Sequence, residues 1–147
     1  MKKKLLIVAH FDDEILWFNP YKFDKIVVCF LGRDDKPGFD VKRLAVFAEH
    51  PLKEKMECLN INEQDDCAEK AINDYLIGNG RKFDFIHTHN SKGEYGHKHH
   101  LMVHSIVKRL FPDEIVESCL DNTNSKDRWF VSIKNIYLKY GCWTWKK

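Results

Sequence analysis

The sequence predicts a single α/β domain with a mostly parallel sheet flanked by helices. Three observations predict it. Apolar runs of strand length, Leu5-Leu6-Ile7-Val8, Lys25 to Leu31 and Phe83 to His87, punctuate the chain. Stretches of helical period separate them, and strands that alternate with helices pair in parallel through crossovers. The 147 residues fit one domain and suffice for one real core.

Each element follows from local pattern. The first strand is read over roughly Lys3 to Ala9. Glu14 to Phe18 is read as a short helix ended by Asn19-Pro20, because the residue before proline avoids helical geometry. Lys25 to Leu31 is a second buried strand, rich in β-branched residues. Gly32 to Gly38 is a loop at its carboxyl end and carries Arg33. Apolar residues at 41, 44, 45, 48, 52, 56 and 59 predict a helix from Val41 to Leu59, kinked or split near His50 by Pro51. Glu63 to Asp66 is a polar loop. Ala68 to Ile77 is a helix stopped by Asn79-Gly80. Phe83 to His87 is a third strand, followed by a loop with two glycines, Gly93 and Gly96. A helix from about His97 to Phe111 ends at Pro112, and Glu114 to Ser118 is a fourth strand. Leu120 to Arg128 is loop. The weak alternation over Arg128 to Leu138 predicts one or two terminal strands. Trp143 and Trp145 alternate, so a strand would put them on one face, against the core or a second subunit rather than against a sugar.

Composition excludes several classes. A net charge of +2 is too small to argue for nucleic acid or a membrane surface. No stretch approaches a transmembrane helix, and the basic start lacks both a signal core and a cleavage site. Five cysteines, at 29, 58, 67, 119 and 142, form no C-x-x-C pair, so a reducing, cytoplasmic setting is expected. A dinucleotide module is disfavoured, because no G-x-G-x-x-G follows the first strand.

The chemistry gathers where strands end. The first strand runs into His10-Phe11-Asp12-Asp13-Glu14. The carboxyl edge of a parallel sheet is the usual ligand crevice. After one helical turn His10 and Asp13 share a face, while Asp12 stays close but points elsewhere. The plainer reading is that these acids only cap a helix start. A second cluster weighs against it: six of the eight histidines lie between His87 and His104. His97 and His100 stand at i and i+3 on the helix that follows the third strand, at the same sheet edge. His10, Asp13 and one of these histidines would make an open metal site with one place left for water. An H-E-x-x-H pair is absent.

These residues resemble a known family. Ala9-His10-Phe11-Asp12-Asp13-Glu14 is similar to the Ala-His-Pro-Asp-Asp-Glu signature of the PIG-L/LmbE-like de-N-acetylases. Gly93-Glu94-Tyr95-Gly96-His97-Lys98-His99-His100 is similar to their Gly-His-Pro-Asp-His segment, and Thr88-His89-Asn90 fits before it. The likeness spans roughly Lys3 to Leu110; the short C-terminal region shows none. The resemblance implies a Rossmann-like fold and zinc-dependent removal of acetyl from an N-acetylated amino sugar, free or in a glycoconjugate. It makes His10, Asp13 and His100 the metal ligands, Asp12 the general base, and His97 the group beside the developing oxyanion. Arg33 and Asn90 are the expected substrate contacts, the plainer reading of Arg33 being a pair with a loop acid, and His104 matches nothing in the family. Two departures stand out. Phe11 replaces a proline that stiffens the turn. His99 replaces the aspartate that would orient His97. Other readings stay open: another metal-dependent amidase or hydrolase, or a sugar-binding protein that has lost catalysis. Another divalent metal such as iron would suit the same donors. The oligomeric state, a homo-oligomer included, is not legible.

Overall fold

In the computed structural model, which describes residues 2–145, five strands form one all-parallel sheet. They are β1 (Lys4–Val8), β2 (Lys25–Phe30), β3 (Met56–Ile61), β4 (Phe85–Thr88) and β5 (Ile115–Glu117), in the order β3-β2-β1-β4-β5. The helices are α1 (Asp13–Leu16), α2 (Phe39–Glu49), α3 (Ala68–Asn79), α4 (Gly93–Gly96), α5 (Lys98–Leu110) and α6 (Arg128–Lys139). Alternation along β1 divides the core in two. Leu6 and Val8 face a cluster with Ile15, Val46, Phe130, Ile133 and Tyr137. Leu5 and Ile7 face the other, with Ile72, Leu76, Val103 and Ile106. Both faces of β1 are thus covered, which is why its sequence is a continuous apolar run. Strand order reverses at β1, which pairs with β2 on one side and β4 on the other. The crevice of such a sheet opens beyond the carboxyl ends of those strands.

Three expectations need correction. The stretch read as one helix to Leu59 ends at Glu49, and Met56–Ile61 is a strand paired with β2 from Ile26↔Met56 onward. Pro51 forces His50 into an extended conformation (φ −64°, ψ 129°), and the edge of β2 then captures the residues beyond. The buried stripe of α2 is Phe39, Arg43 and Val46, while Val41 and Leu44 are 67% and 49% exposed. The terminal strands are instead the helix α6, which buries Phe130, Ile133 and Tyr137 at a spacing of three and four. With Val46 of α2 it covers the face that carries Leu6, Val8 and Ile15, so tertiary packing overrides a weak local alternation. Trp143 and Trp145 lie outside any strand, but both pack against the first core cluster, as expected of a core-facing pair. Trp143 packs on Phe130 and Tyr137, and Trp145 on Trp17 and Tyr95.

All five cysteines are free thiols; Cys29 is buried and Cys58 partly so. Among the described residues no helix is long and apolar enough to cross a membrane.

Candidate metal centre

Beyond β1 the chain turns sharply. Asp12 adopts a left-handed conformation (φ 91°, ψ −28°), unusual for a residue with a side chain. Its N–H donates to Glu14 Oε1 at 2.9 Å, and its carbonyl accepts from Ile15 and Leu16 at 3.1 and 3.0 Å. Phe11, in place of a stiff proline, is buried and packs edge-on against Phe47. Burial of that ring anchors the turn that proline would have stiffened. Glu14 has no exposed surface and gathers donors from distant elements. Tyr137 Oη donates to its carboxylate at 2.7 and 2.9 Å, and His50 Nε2 lies 2.9 Å from Oε2. His50 Nδ1 accepts from the Leu52 N–H, so Nε2 carries the proton and donates to Glu14. Tyr137 and His50 hold Glu14, and Glu14 in turn holds the backbone N–H of Asp12.

Asp13 Oδ2 accepts from the His10 N–H at 2.8 Å and lies 3.4 Å from His10 Nδ1. On its other side, His100 Nε2 is 3.2 Å away. His100 Nε2 is buried and has no hydrogen-bond partner.

Hydrogen bonds to groups of fixed polarity assign the histidine tautomers. His99 Nε2 faces the Glu63 carbonyl at 3.2 Å, which only accepts, so Nε2 carries the proton. Neutral His99 therefore accepts at Nδ1, from His10 Nε2 at 3.0 Å. Burial and the adjacent His10 push the His99 pKa down to about 4, consistent with a neutral ring. His10 is left with a free lone pair on Nδ1, the nitrogen facing Asp13. His97 caps α5, its Nδ1 accepting the His99 N–H at 3.1 Å, so Nε2 bears its proton. Burial, with His10, His100 and His99 nearby, pushes the His97 pKa down to about 3. His97 is therefore a neutral donor rather than a lone-pair ligand. His89 is committed at both nitrogens, Nε2 to the Ala9 N–H at 2.9 Å and Nδ1 to Glu94 Oε1 at 2.9 Å.

Glu94 organises the second half of the site. Its φ of 58°, between Gly93 (φ 60°) and Gly96 (φ 90°), lets the chain turn so that its carboxylate points inward. Oε1 bonds both His89 Nδ1 and His100 Nδ1; Oε2 accepts from the Asn90 N–H and the Ser118 hydroxyl. Burial opposes its charge, but the bonds from His100 and His89 hold its pKa down at about 2. Burial likewise opposes charge on His100, yet Asp13 and Glu94 raise its pKa to about 10. Asp13 is held well below the usual carboxylate range, because His100 and His10 outweigh its burial. This pocket of carboxylates thus holds a place for positive charge. Asp12 is the opposite case. Burial, then the charges of Asp13 and Glu14, raise its pKa well above the ordinary value. Its carboxylate makes no hydrogen bond among the described residues.

Buried His, Asp and Glu side chains here could hold a metal ion. Three overlapping groups have donor atoms close enough: His10 with His97 and His100, His10 with Glu63 and His99, and Asp13 with His89 and His100. Drawn across these groups, His10 Nδ1, Asp13 Oδ2 and His100 Nε2 are the donors the hydrogen bonds leave for a cation, His100 giving up its second proton when the cation binds. Ligands at about 2.0–2.2 Å from a tetrahedral cation stand roughly 3.3–3.5 Å apart, and Asp13 Oδ2 lies 3.4 and 3.2 Å from the two histidine nitrogens; the two histidines would close toward each other around a cation. The orphaned His100 Nε2 fits the same interpretation. Glu94→Gln is expected to weaken divalent-cation affinity about 10–100-fold, since it removes the charge behind His100. Titration against a metal-chelating dye measures this.

The sequence-predicted residues come together in part. His10, Asp12, Asp13, His97 and Arg33 line one cavity of ≈ 80 Å³, and His100 lies buried behind it. Arg33 is held by Asp35 at 3.0 and 2.7 Å while facing that cavity. Asn90 does not line it. Its Oδ1 accepts from the Lys92 and Glu94 N–H groups and shapes the loop. His99 does not orient His97 through its ring, which instead holds His10. His104 pairs with Glu117 outside the site. The sequence reading missed Glu14, Glu63, Glu94, Tyr95, Trp145 and Arg43. Arg43 bonds the Leu31 carbonyl at 2.6 Å and Glu63 Oε2 at 2.8 Å. Glu14, Glu94 and Tyr95 do stand within the two motif segments, and Arg43 lies on the buried stripe of α2; Glu63 carries no such signal. No protein-family model matches the chain, and no curated protein matches it.

Proposed function

We propose that this chain is a metal-dependent N-deacetylase that releases acetate from an N-acetylated amino sugar. The reading rests on one observation: Asp13 Oδ2 sits between His10 Nδ1 and His100 Nε2, beside the uncommitted Asp12 in one small cavity. The resemblance to the PIG-L/LmbE-like de-N-acetylases supports the same roles and suggests zinc. His10, Asp13 and His100 would hold the cation. When bound, it supplies Lewis-acid polarisation and a nucleophile at neutral pH.

The chain's own residues do the rest. Asp12 takes a proton from water as that water's oxygen adds to the acetamide carbon. The turn and the hold of Glu14 on the Asp12 N–H keep that carboxylate in the cavity. His97 offers Nε2–H to the oxygen that gains charge, with its Nδ1 pinned by a backbone amide. Asp12 then passes its proton to the departing nitrogen, and the C–N bond breaks to leave acetate and a free amine. His99 keeps the His10 proton on Nε2, leaving Nδ1 for the cation. Arg33 lines the cavity wall, where it meets the remainder of the substrate.

Metal-loaded protein is expected to release acetate and amine in equal amounts from N-acetylglucosamine conjugates, to stop on chelation, and to recover when zinc is returned. A protein that binds zinc tightly yet frees no acetate across such a panel is not this enzyme.

A further inference from the structure

We infer that Tyr95 and Trp145 form a platform for the pyranose ring of the substrate at the mouth of the cavity. The inference rests on the deacetylase reading and adds the position of the sugar. The cavity of ≈ 80 Å³ has room for about two to three waters, enough for a small acyl group but not for a hexose ring. The ring must therefore lie at the entrance. Two aromatic side chains, Tyr95 and Trp145, and the hydroxyl-bearing Thr144 line the cavity, and of these Tyr95 and Thr144 are exposed while Trp145 is half-buried.

The platform is built rather than accidental. Tyr95 follows the inward-turned Glu94 between two positive-φ residues, and it is 55% exposed. Tyr95 meets the rings of His97 and His100 at 5.9 and 5.5 Å, so it packs against the histidine cluster. Trp145 stands against Tyr95 at 4.9 Å and edge-on to the buried Trp17 at 5.2 Å. These contacts fix two amphipathic aromatic side chains in place before any ligand arrives. The other wall is charged, with Arg33, Arg43 and Glu63. A pyranose has an apolar face of C–H groups and a rim of hydroxyls. One aromatic wall and one charged wall match that division.

Affinity for methyl N-acetylglucosaminide is read by calorimetry on metal-loaded protein in an Asp12→Asn background, so that no turnover is needed. Adding Trp145→Ala is expected to raise Kd about ten-fold, with cation content unchanged, and Trp145→Phe to recover most of the loss. Trp143→Ala, which removes a ring packed on Phe130 and Tyr137, is expected to lower the melting temperature while leaving the Kd alone. An unchanged Kd in Trp145→Ala, or no measurable binding of the glycoside in the background protein, overturns the platform. Failure of the deacetylase reading looks different: wild-type protein binds the glycoside and the Trp145 effect holds, but no acetate is released.

Discussion

Asp12→Asn is expected to keep its cation and lose turnover by about 10²–10⁴-fold, the usual contribution of a general base. Asparagine is the right replacement here. It is nearly isosteric and tolerates the left-handed backbone that Asp12 adopts, where alanine would add strain. It cannot accept the proton. Nor does it disturb the ligands, because the Asp12 carboxylate bonds nothing among the described residues, and its N–H can still reach Glu14. Removing a buried charge beside Asp13 and Glu14 relieves repulsion, so the variant should fold at least as well as the parent. Elemental analysis checks the cation, and acetate release checks the rate. Turnover within about ten-fold of wild type would assign the base to another group.

The second large effect is expected from His100→Ala. Among the described residues His100 offers a buried imidazole nitrogen without a hydrogen-bond partner, and its other nitrogen is fixed by Glu94. Without it the cation keeps only His10 and Asp13, and bound metal should fall from stoichiometric to background. A cation that binds the folded state alone raises stability, by about 2.7 kcal/mol at a hundred times its Kd. Wild-type protein should therefore melt higher when zinc is added, and His100→Ala should not respond. This readout separates lost coordination from damaged folding. A variant that merely packs badly would melt lower but still rise with zinc. A wild-type protein indifferent to zinc would remove the metal centre altogether.

Much of the scaffold was legible because its cause is local. Leu5 to Val8 and Lys25 to Leu31 read as buried strands since both of their faces are covered, and both are strands. Met56–Ile61 was missed because its apolar residues also satisfy a helical period carried over from α2; only the open edge of β2 makes them a strand. The helix α6 was missed for the converse reason. Its three buried residues declare themselves only once the face of β1 and α1 that they cover exists.

The site divides along the same line. His10 and Asp13, and His97 and His100, are three residues apart, so a single turn brings each pair together whatever the rest of the chain does. The segment after β1 and the helix after β4 meet because those two strands are neighbours at the reversal point of the sheet. That much the order of residues determined by itself: an α/β sheet, its chemical edge, and the histidines and carboxylates gathered there. While His97 and His50 are fixed by a backbone N–H two residues on, tertiary structure decided which nitrogen is free on the histidines whose partners are distant in sequence. Those assignments depend on partners 80 and 89 residues away for His89 and His10, as the hold on Glu14 depends on Tyr137 across 123. A side chain's period and neighbours in sequence carry no record of such partners. Proton position on an imidazole is set by whichever donor or acceptor the completed fold places against it.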